Sequence, residues 1–361
     1  MVETSEPRRF YPEALLCFRA LGVDLAVATV FGRGAAHEQF RAAGVPSYSL
    51  CCRRAFDYPL AGLRLARIAR SRGTDVIHGI EAVPALISGI AGRFTGLPSV
   101  FHRQHIEFVD LPGMTALSRV ASHVTTMTVG CSEAAAHAAT VFDHVPPSAL
   151  AVVHNPATKP RPVDASEAAR IRAELGISAE DAVVTVVSRL RQEKNLDTLL
   201  AAVSLASRAC SRPLHVVVVG DGPCESELRD LAARDPDVRA HFVGHQDDVA
   251  LWFAISDVCA IPSRREALGI AAVEAMSYGK PVLAGDVGGL REVVLEAVTG
   301  LRVAPDNLAA MAAAICELVN DPERAQAMGE AGRRRYLEAF TVQTWTESLV
   351  GEWERLRARG V

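Results

Sequence analysis

The sequence predicts an α/β protein built from two doubly wound domains with parallel sheets, and three observations predict it. Short β-rich runs alternate with helical patterns along nearly the whole chain. The alternation is interrupted once, by a proline-rich stretch, and then begins again. The length of 361 residues, with 49% apolar positions, corresponds to between two and three domains and excludes disorder.

The first series of runs is DLAVATV (24–30), SYSLC (47–51), DVIH (75–78), SVFH (99–102), TTMTVG (125–130) and LAVVHN (150–155). Between them lie segments such as LAGLRLARIARSRG (60–73) and EAVPALISGIAGRF (81–94), whose apolar residues recur at three and four. The stretch 156–166, PATKPRPVDAS, has three prolines and no period, and reads as the linker. The second series is AVVTVVS, LHVVVVG, VRAHFVG, DVCAIPS, PVLAG and GLRV. The expected domains are therefore 1–160 and 161–340, facing each other across a cleft at the carboxyl ends of their strands. A last helix in 341–361 is expected to pack back toward the first domain. The first domain departs from this pattern at its start: the helical stretch YPEALLCFRALG (11–22) comes almost at once, so its first strand and glycine turn are expected to be missing.

Charge narrows the partners. The net charge is −4, with 15 basic against 12 acidic residues before Pro160 and 23 against 30 from there on. No block of like charge marks a nucleic-acid arm. The eight cysteines form no CxxC pair and read as buried thiols of a reducing compartment. No apolar run reaches the ~20 residues that span a bilayer, so the expected location is the cytoplasm. In the helix 60–73, Arg64, Arg67, Arg70 and Arg72 accompany Leu60, Leu63 and Ile68. The plain reading puts the leucines in the core; the second is peripheral contact with the inner face of an anionic membrane.

Of 38 basic residues only Lys159, Lys194 and Lys280 are lysine. Lys194 and Arg189 follow the strand AVVTVVS, and Asn195 opens the next helix, an arrangement suited to a diphosphate; two solvated cations are the alternative. The turn Gly220–Asp221–Gly222 is weak by itself. In PSRREALGIAAVEAM, Glu266 lies in a loop after a strand, a helix begins near Leu268–Gly269, and Glu274 lies inside it. Helix N–H groups and Gly269 would admit a phosphate, whereas carboxylates beside a diphosphate suit hydroxyls: a sugar for Glu266, a ribose for Glu274. The helix around Glu274 is otherwise nearly all apolar, where a lone carboxylate is costly. The DxD of Asp235–Pro236–Asp237 reads as a connector rather than a metal site.

Together SRLRQEKN (188–195), VVGDGP (218–223), the run 242–276 with its E-x7-E, and GDVGGLREVV (285–294) resemble the retaining GT-B glycosyltransferases of family 4. The resemblance implies a nucleotide-sugar donor (UDP-, GDP- or ADP-linked), an acceptor hydroxyl, and no metal or other cofactor. It implies that Arg189 and Lys194 neutralise the diphosphate, Glu266 holds sugar hydroxyls, Leu268 and Gly269 offer backbone contacts to phosphate, and Glu274 the ribose contact. Gly244 and His245 fall where the nucleobase lies. The family's HxH at the end of DVIH is here His78–Gly79–Ile80, so its second histidine is absent. His102, His105 or His78 are the substitutes, and Ser132 reads as a helix N-cap.

The sequence leaves the acceptor open. Its arginine and alanine bias is that of a GC-rich bacterium, where cell-envelope polysaccharide and secondary-metabolite pathways use such enzymes. Two other readings stay beside the transferase: a synthase or phosphorylase acting on a phosphosugar, and a nucleotide-sugar-binding homologue with impaired catalysis. A Rossmann dehydrogenase is excluded by the lack of a GxGxxG after an early strand.

Overall fold

The computed structural model describes residues 1–3, 10–32, 34–106 and 113–358. The chain forms two compact units, Met1–Thr158 with Thr341–Val361, and Lys159–Phe340.

The first unit has seven strands: β1 (Val2–Glu3), β2 (Val27–Thr29), β3 (Ser47–Ser49), β4 (Ile77–Ile80), β5 (Ser99–Arg103), β6 (Met127–Gly130) and β7 (Leu150–Val152). They lie in the order β3-β2-β1-β4-β5-β6-β7, and every pairing is parallel. The first strand is thus present, against the sequence expectation. Two residues suffice because Val2 pairs with Ala28 on one side and Gly79 on the other, and so short an element has no period to read. The segment after it, TSEPRR (4–9), has no glycine in its sequence and lies outside the described residues. The helix Val342–Ala358 belongs to this unit, where Trp345, Leu349 and Leu356 join Phe18, Val100 and Val129 in one cluster. Ser132 caps the helix Glu133–Asp143, accepting the Ala135 N–H at 2.9 Å, as the sequence suggested.

The second unit has six parallel strands: β8 (Ala182–Val187), β9 (Leu214–Val219), β10 (Arg239–Gly244), β11 (Val258–Ile261), β12 (Val282–Gly285) and β13 (Gly300–Val303), in the order β10-β9-β8-β11-β12-β13. The valine-rich β8 and β9 are in register from Ala182 opposite Leu214 to Val187 opposite Val219. Buried on both faces, they form the centre of a core closed by the helices Leu196–Ser207 and Leu308–Asn320. In each unit the strand order reverses once, between β1 and β4 and between β8 and β11. At such a reversal successive connections leave on opposite faces and open a crevice at the carboxyl ends.

Candidate functional site

In the second unit the residues singled out in the sequence flank that reversal. Arg189 and Lys194 follow β8, and Glu266 follows β11. Lys194 Nζ lies 2.6 Å from Glu266 Oε2, with both side chains only about one-fifth exposed (22% and 17%). Ser263 Oγ donates to the same carboxylate at 3.3 Å. Arg189 is exposed, and among the described residues no carboxylate lies within ion-pair distance of it.

Main-chain bonds fix the two loops together. The Arg264 N–H donates to Glu193 O at 2.8 Å, and its guanidinium to Gln192 O at 3.1 Å. Buried Asn195, held at φ 61°, donates from Nδ2 to Pro262 O (3.0 Å) and Pro305 O (2.8 Å). The GDVGG segment lies directly on the Glu266 loop: Gly289 N–H donates to Glu266 O at 3.0 Å. A Cβ at Gly289 would stand 2.1 Å from Ala267 O, so no other residue fits there.

Gly269, at φ 94°, precedes the helix Ile270–Ser277; its carbonyl accepts from Ala272 N–H at 2.9 Å, which leaves the Ile270 and Ala271 N–H groups without an intrahelical acceptor. Leu268 is buried beside it. Glu274 lies one turn into that helix and is partly exposed. Gly244 ends β10 with its carbonyl accepting from Gly220 N–H at 2.8 Å, and His245 beyond it is exposed, 3.4 Å from Asp247. Contacts therefore join Lys194, Glu266 and Ser263 into one cluster, and a Cβ at Gly269 would stand 3.4 Å from Glu266 Cγ; Arg189 lies in the same loop as Lys194, Glu274 one turn into the helix, and His245 after the edge strand β10. The Asp235–Asp237 segment is a turn, with Asp237 N–H donating to Asp235 Oδ1 and Asp237 paired with Arg208. Among the described residues no three His, Cys, Asp or Glu side chains are gathered as a metal would require.

The first unit separates the candidate histidines. His102 and His78 are buried in the core: Trp353 Nε1 donates to His78 Nδ1 at 3.0 Å, His78 Nε2 meets His102 Nδ1 at 3.3 Å, and Trp345 stacks near His102. Burial, with neighbouring His102 second, holds His78 well below the usual histidine range. Both histidines pack against aromatic side chains of the last helix; His105 alone is exposed, 3.3 Å from Glu81. Ile80 is buried. The helix Tyr58–Arg72 corrects the plain reading of its leucines. Leu60 and Leu63 are exposed, as is Phe56 before it, while Arg64, Arg70 and Arg72 bind Leu50 O, Phe94 O and Asp24. Among the described residues no helix is long and apolar enough to cross a membrane.

Known proteins resemble this chain in sequence and in fold. Residues 167–335 match the family model of glycosyl transferases group 1. A GDP-mannose-dependent monoacylated α-(1-6)-phosphatidylinositol monomannoside mannosyltransferase of Corynebacterium glutamicum is 32% identical over 315 residues, covering 81% of this chain and 78% of its own. The chain is a group 1 glycosyltransferase. A second relative of this glycosyltransferase, the GDP-mannose-dependent α-(1-6)-phosphatidylinositol monomannoside mannosyltransferase of Mycobacterium tuberculosis, is 31% identical and covers 76% and 74% of the two chains. Among solved structures, Anabaena Alr3699/HepE in complex with UDP superposes with a TM-score of 0.81 at 20% identity, over 98% of this chain and 99% of that one. Sucrose-phosphate synthase of Thermosynechococcus elongatus gives 0.74 at 20% identity, over 99% and 95%. The fold of the glycosyltransferase is GT-B.

Proposed function

We propose that this glycosyltransferase moves a hexose from a nucleoside diphosphate sugar to an acceptor hydroxyl with retention of configuration and without a metal. The observation that carries the reading is the Lys194–Glu266 pair at the reversal of the second sheet, beside the amino end of the helix Ile270–Ser277. Lys194, Arg189 and the helix N–H groups meet the charge that develops on the departing diphosphate. Glu266 takes hydroxyls of the sugar, Glu274 the ribose, Leu268 and Gly269 the phosphate, and Gly244 and His245 the base. In the transfer the bond from C1 to the diphosphate oxygen breaks and a bond from C1 to the acceptor oxygen forms on the same face. The acceptor proton passes to the departing phosphate oxygen. In the first unit, His105 is the histidine we assign to substrate, because His78 and His102 are packed inside.

Two relatives that span 81% and 76% of the chain are named for GDP-mannose and for phosphatidylinositol mannosides, so GDP-mannose is the first donor to test and a lipid-linked sugar the first acceptor. Exposed Phe56, Leu60 and Leu63, with Arg67 on the same helix, are the surface we assign to an anionic bilayer. Sedimentation with phosphatidylglycerol vesicles, lost in F56A/L60A, checks it; equal sedimentation of the variant refutes it.

The test is thermal shift with GDP, UDP, ADP and their sugars, on the native chain and on Glu274→Ala, followed by turnover with the donor that binds. A shift for one nucleotide that the variant loses supports the donor site. Turnover that continues in EDTA and gives an α-linked product supports the metal-free, retaining chemistry. Binding without turnover on any acceptor would instead select the catalytically impaired homologue.

A further inference from the structure

Glu81 has a backbone conformation that its residue type disfavours. It follows β4 directly, beside the reversal of the first sheet, at φ 75° and ψ 165°. The other positive-φ residues besides glycine, Cys51, His144, Asn195 and Ala297, all have φ between 54° and 61°, and His144 and Asn195 have ψ of 34° and 33°, the ordinary left-handed region. Glu81 instead sits where essentially only glycine is found, and such conformations cluster at functional sites. Its main chain holds it there: the N–H donates to His102 O at 3.0 Å, and the carbonyl accepts from Ala85 N–H at 3.0 Å. What glutamate supplies and glycine lacks is the carboxylate, whose Oε2 is 3.3 Å from His105 Nε2.

The main chain at His105 is fixed from the other side. Buried Arg103 donates from Nε to His105 O at 2.8 Å and from Nη2 to Ile106 O at 3.0 Å. Its remaining nitrogen is anchored by Ser118 Oγ (2.7 Å) and the carboxylate of Asp143, both buried. Asn155 Nδ2 donates to Gln104 Oε1 in the same loop. Residues 104–106 after β5 are thus held by these bonds, and Glu81 reaches the exposed imidazole of His105.

We propose that Glu81 is a positioning residue for His105: its carboxylate orients the ring and holds the proton on Nε2, presenting the other ring nitrogen to the acceptor. The proposal rests on the assignment of His105 to substrate. The strained backbone makes the test sharp, because glycine accepts this conformation without strain. Glu81→Gly should keep or raise the melting temperature, yet lower kcat about tenfold to a hundredfold with KM for the donor little changed. Glu81→Gln, whose amide oxygen can still accept from the imidazole, should recover part of the loss. Glu81→Gly/His105→Gln should be no slower than His105→Gln alone. Without any donor, ¹⁵N spectra of the histidine side chains, with His105 assigned by its loss in His105→Gln, should show one tautomer in the native chain and a mixture in Glu81→Gly. An unchanged tautomer in Glu81→Gly, native turnover in that variant, or additive losses in the double variant would each overturn the proposal. If His105→Gln itself turns over normally, the assignment of His105 fails, and the tautomer measurement still decides whether Glu81 orients it.

Discussion

Replacing Lys194 by alanine removes one cation from two different interactions, and their sizes separate a catalytic lysine from a structural one. In the free protein Lys194 is 2.6 Å from Glu266, and neither side chain is fully exposed or fully buried. The pair therefore lies between an exposed ion pair, worth about 0–1 kcal/mol, and a hydrogen bond to a charged group, worth about 1.5–3 kcal/mol. We expect a loss of about 1–2 kcal/mol, which for a unit of this size lowers the melting temperature by about 2–8 °C. If the same ammonium meets the departing diphosphate, its removal costs about 2.7–4 kcal/mol of transition-state stabilisation, a fall in kcat of about 10² to 10³. Steady-state kinetics and differential scanning fluorimetry on Lys194→Ala, Glu266→Gln and the double variant read both quantities. The double variant should regain part of the stability, since no uncompensated carboxylate remains, and none of the turnover. A Lys194→Ala enzyme that melts lower but turns over within about fivefold of native would make the pair structural and remove it from the donor site.

Three further outcomes follow from the geometry. Burial is the main cause holding His78, His215 and His241 below the ordinary histidine value, with His102 beside His78 and His215 beside His241 adding to it. Histidines lowered in the folded state are charged more readily when unfolded, so their contribution is present above about pH 6.5 and is lost as pH falls below it; urea midpoints should drop from pH 7.5 to 5.5, and a flat or rising series would contradict this. Gly220→Ala would place a Cβ 1.9 Å from Ser188 O at φ +132°, whereas Gly244→Ala meets nothing within 4 Å at φ +72°; we expect about 3–5 kcal/mol against about 1 kcal/mol in urea unfolding, and equal losses would refute the close approach of the two loops. Cys210 and Cys316 sulfurs stand 3.1 Å apart between two helices of the second unit, so diamide should cross-link them and remove two titratable thiols, a result that Cys316→Ser should abolish.

Most of the fold was legible because its elements repeat a period long enough to read. AVVTVVS and LHVVVVG announce buried parallel strands, and Ser132 announces a cap that the structure contains. What escaped has physical reasons. A strand of two residues, Val2–Glu3, has no alternation, and its pairing is decided by β2 and β4 on either side. His102 was grouped with His105 because both end the same run, yet His102 lies inside β5, which is buried throughout, against the last helix, whereas His105 lies two residues beyond the strand and is exposed. The exposure of Leu60 and Leu63 was misread because apolar spacing shows which residues share a face, not which face is covered. Glu81 was silent: its φ and ψ are imposed by neighbours, and nothing in its residue type advertises them. Two of the three glycines of GDVGG, by contrast, were informative, since Gly285 and Gly289 each mark a place where backbone touches backbone.

The two sheets share one construction, and this explains why their charged residues fall where they do. Each reverses its strand order once, and each sends a carboxylate from the strand on the far side of the reversal: Glu81 after β4, Glu266 after β11. The partners differ. Glu266 meets Lys194, an ammonium suited to a diphosphate, whereas Glu81 meets His105, an imidazole with two distinct ring nitrogens. The supports differ in the same sense. Around Glu266 the loops are held by glycines that admit a neighbouring backbone and leave room for phosphate, while around Glu81 a buried arginine fixes the loop and a strained residue fixes the ring. A donor unit that must neutralise charge and an acceptor unit that must aim one imidazole would diverge in this way from a common topology. The consequence is testable: exchanging the cations' characters, with Lys194→His and His105→Lys, should weaken nucleotide binding in the first variant and turnover alone in the second.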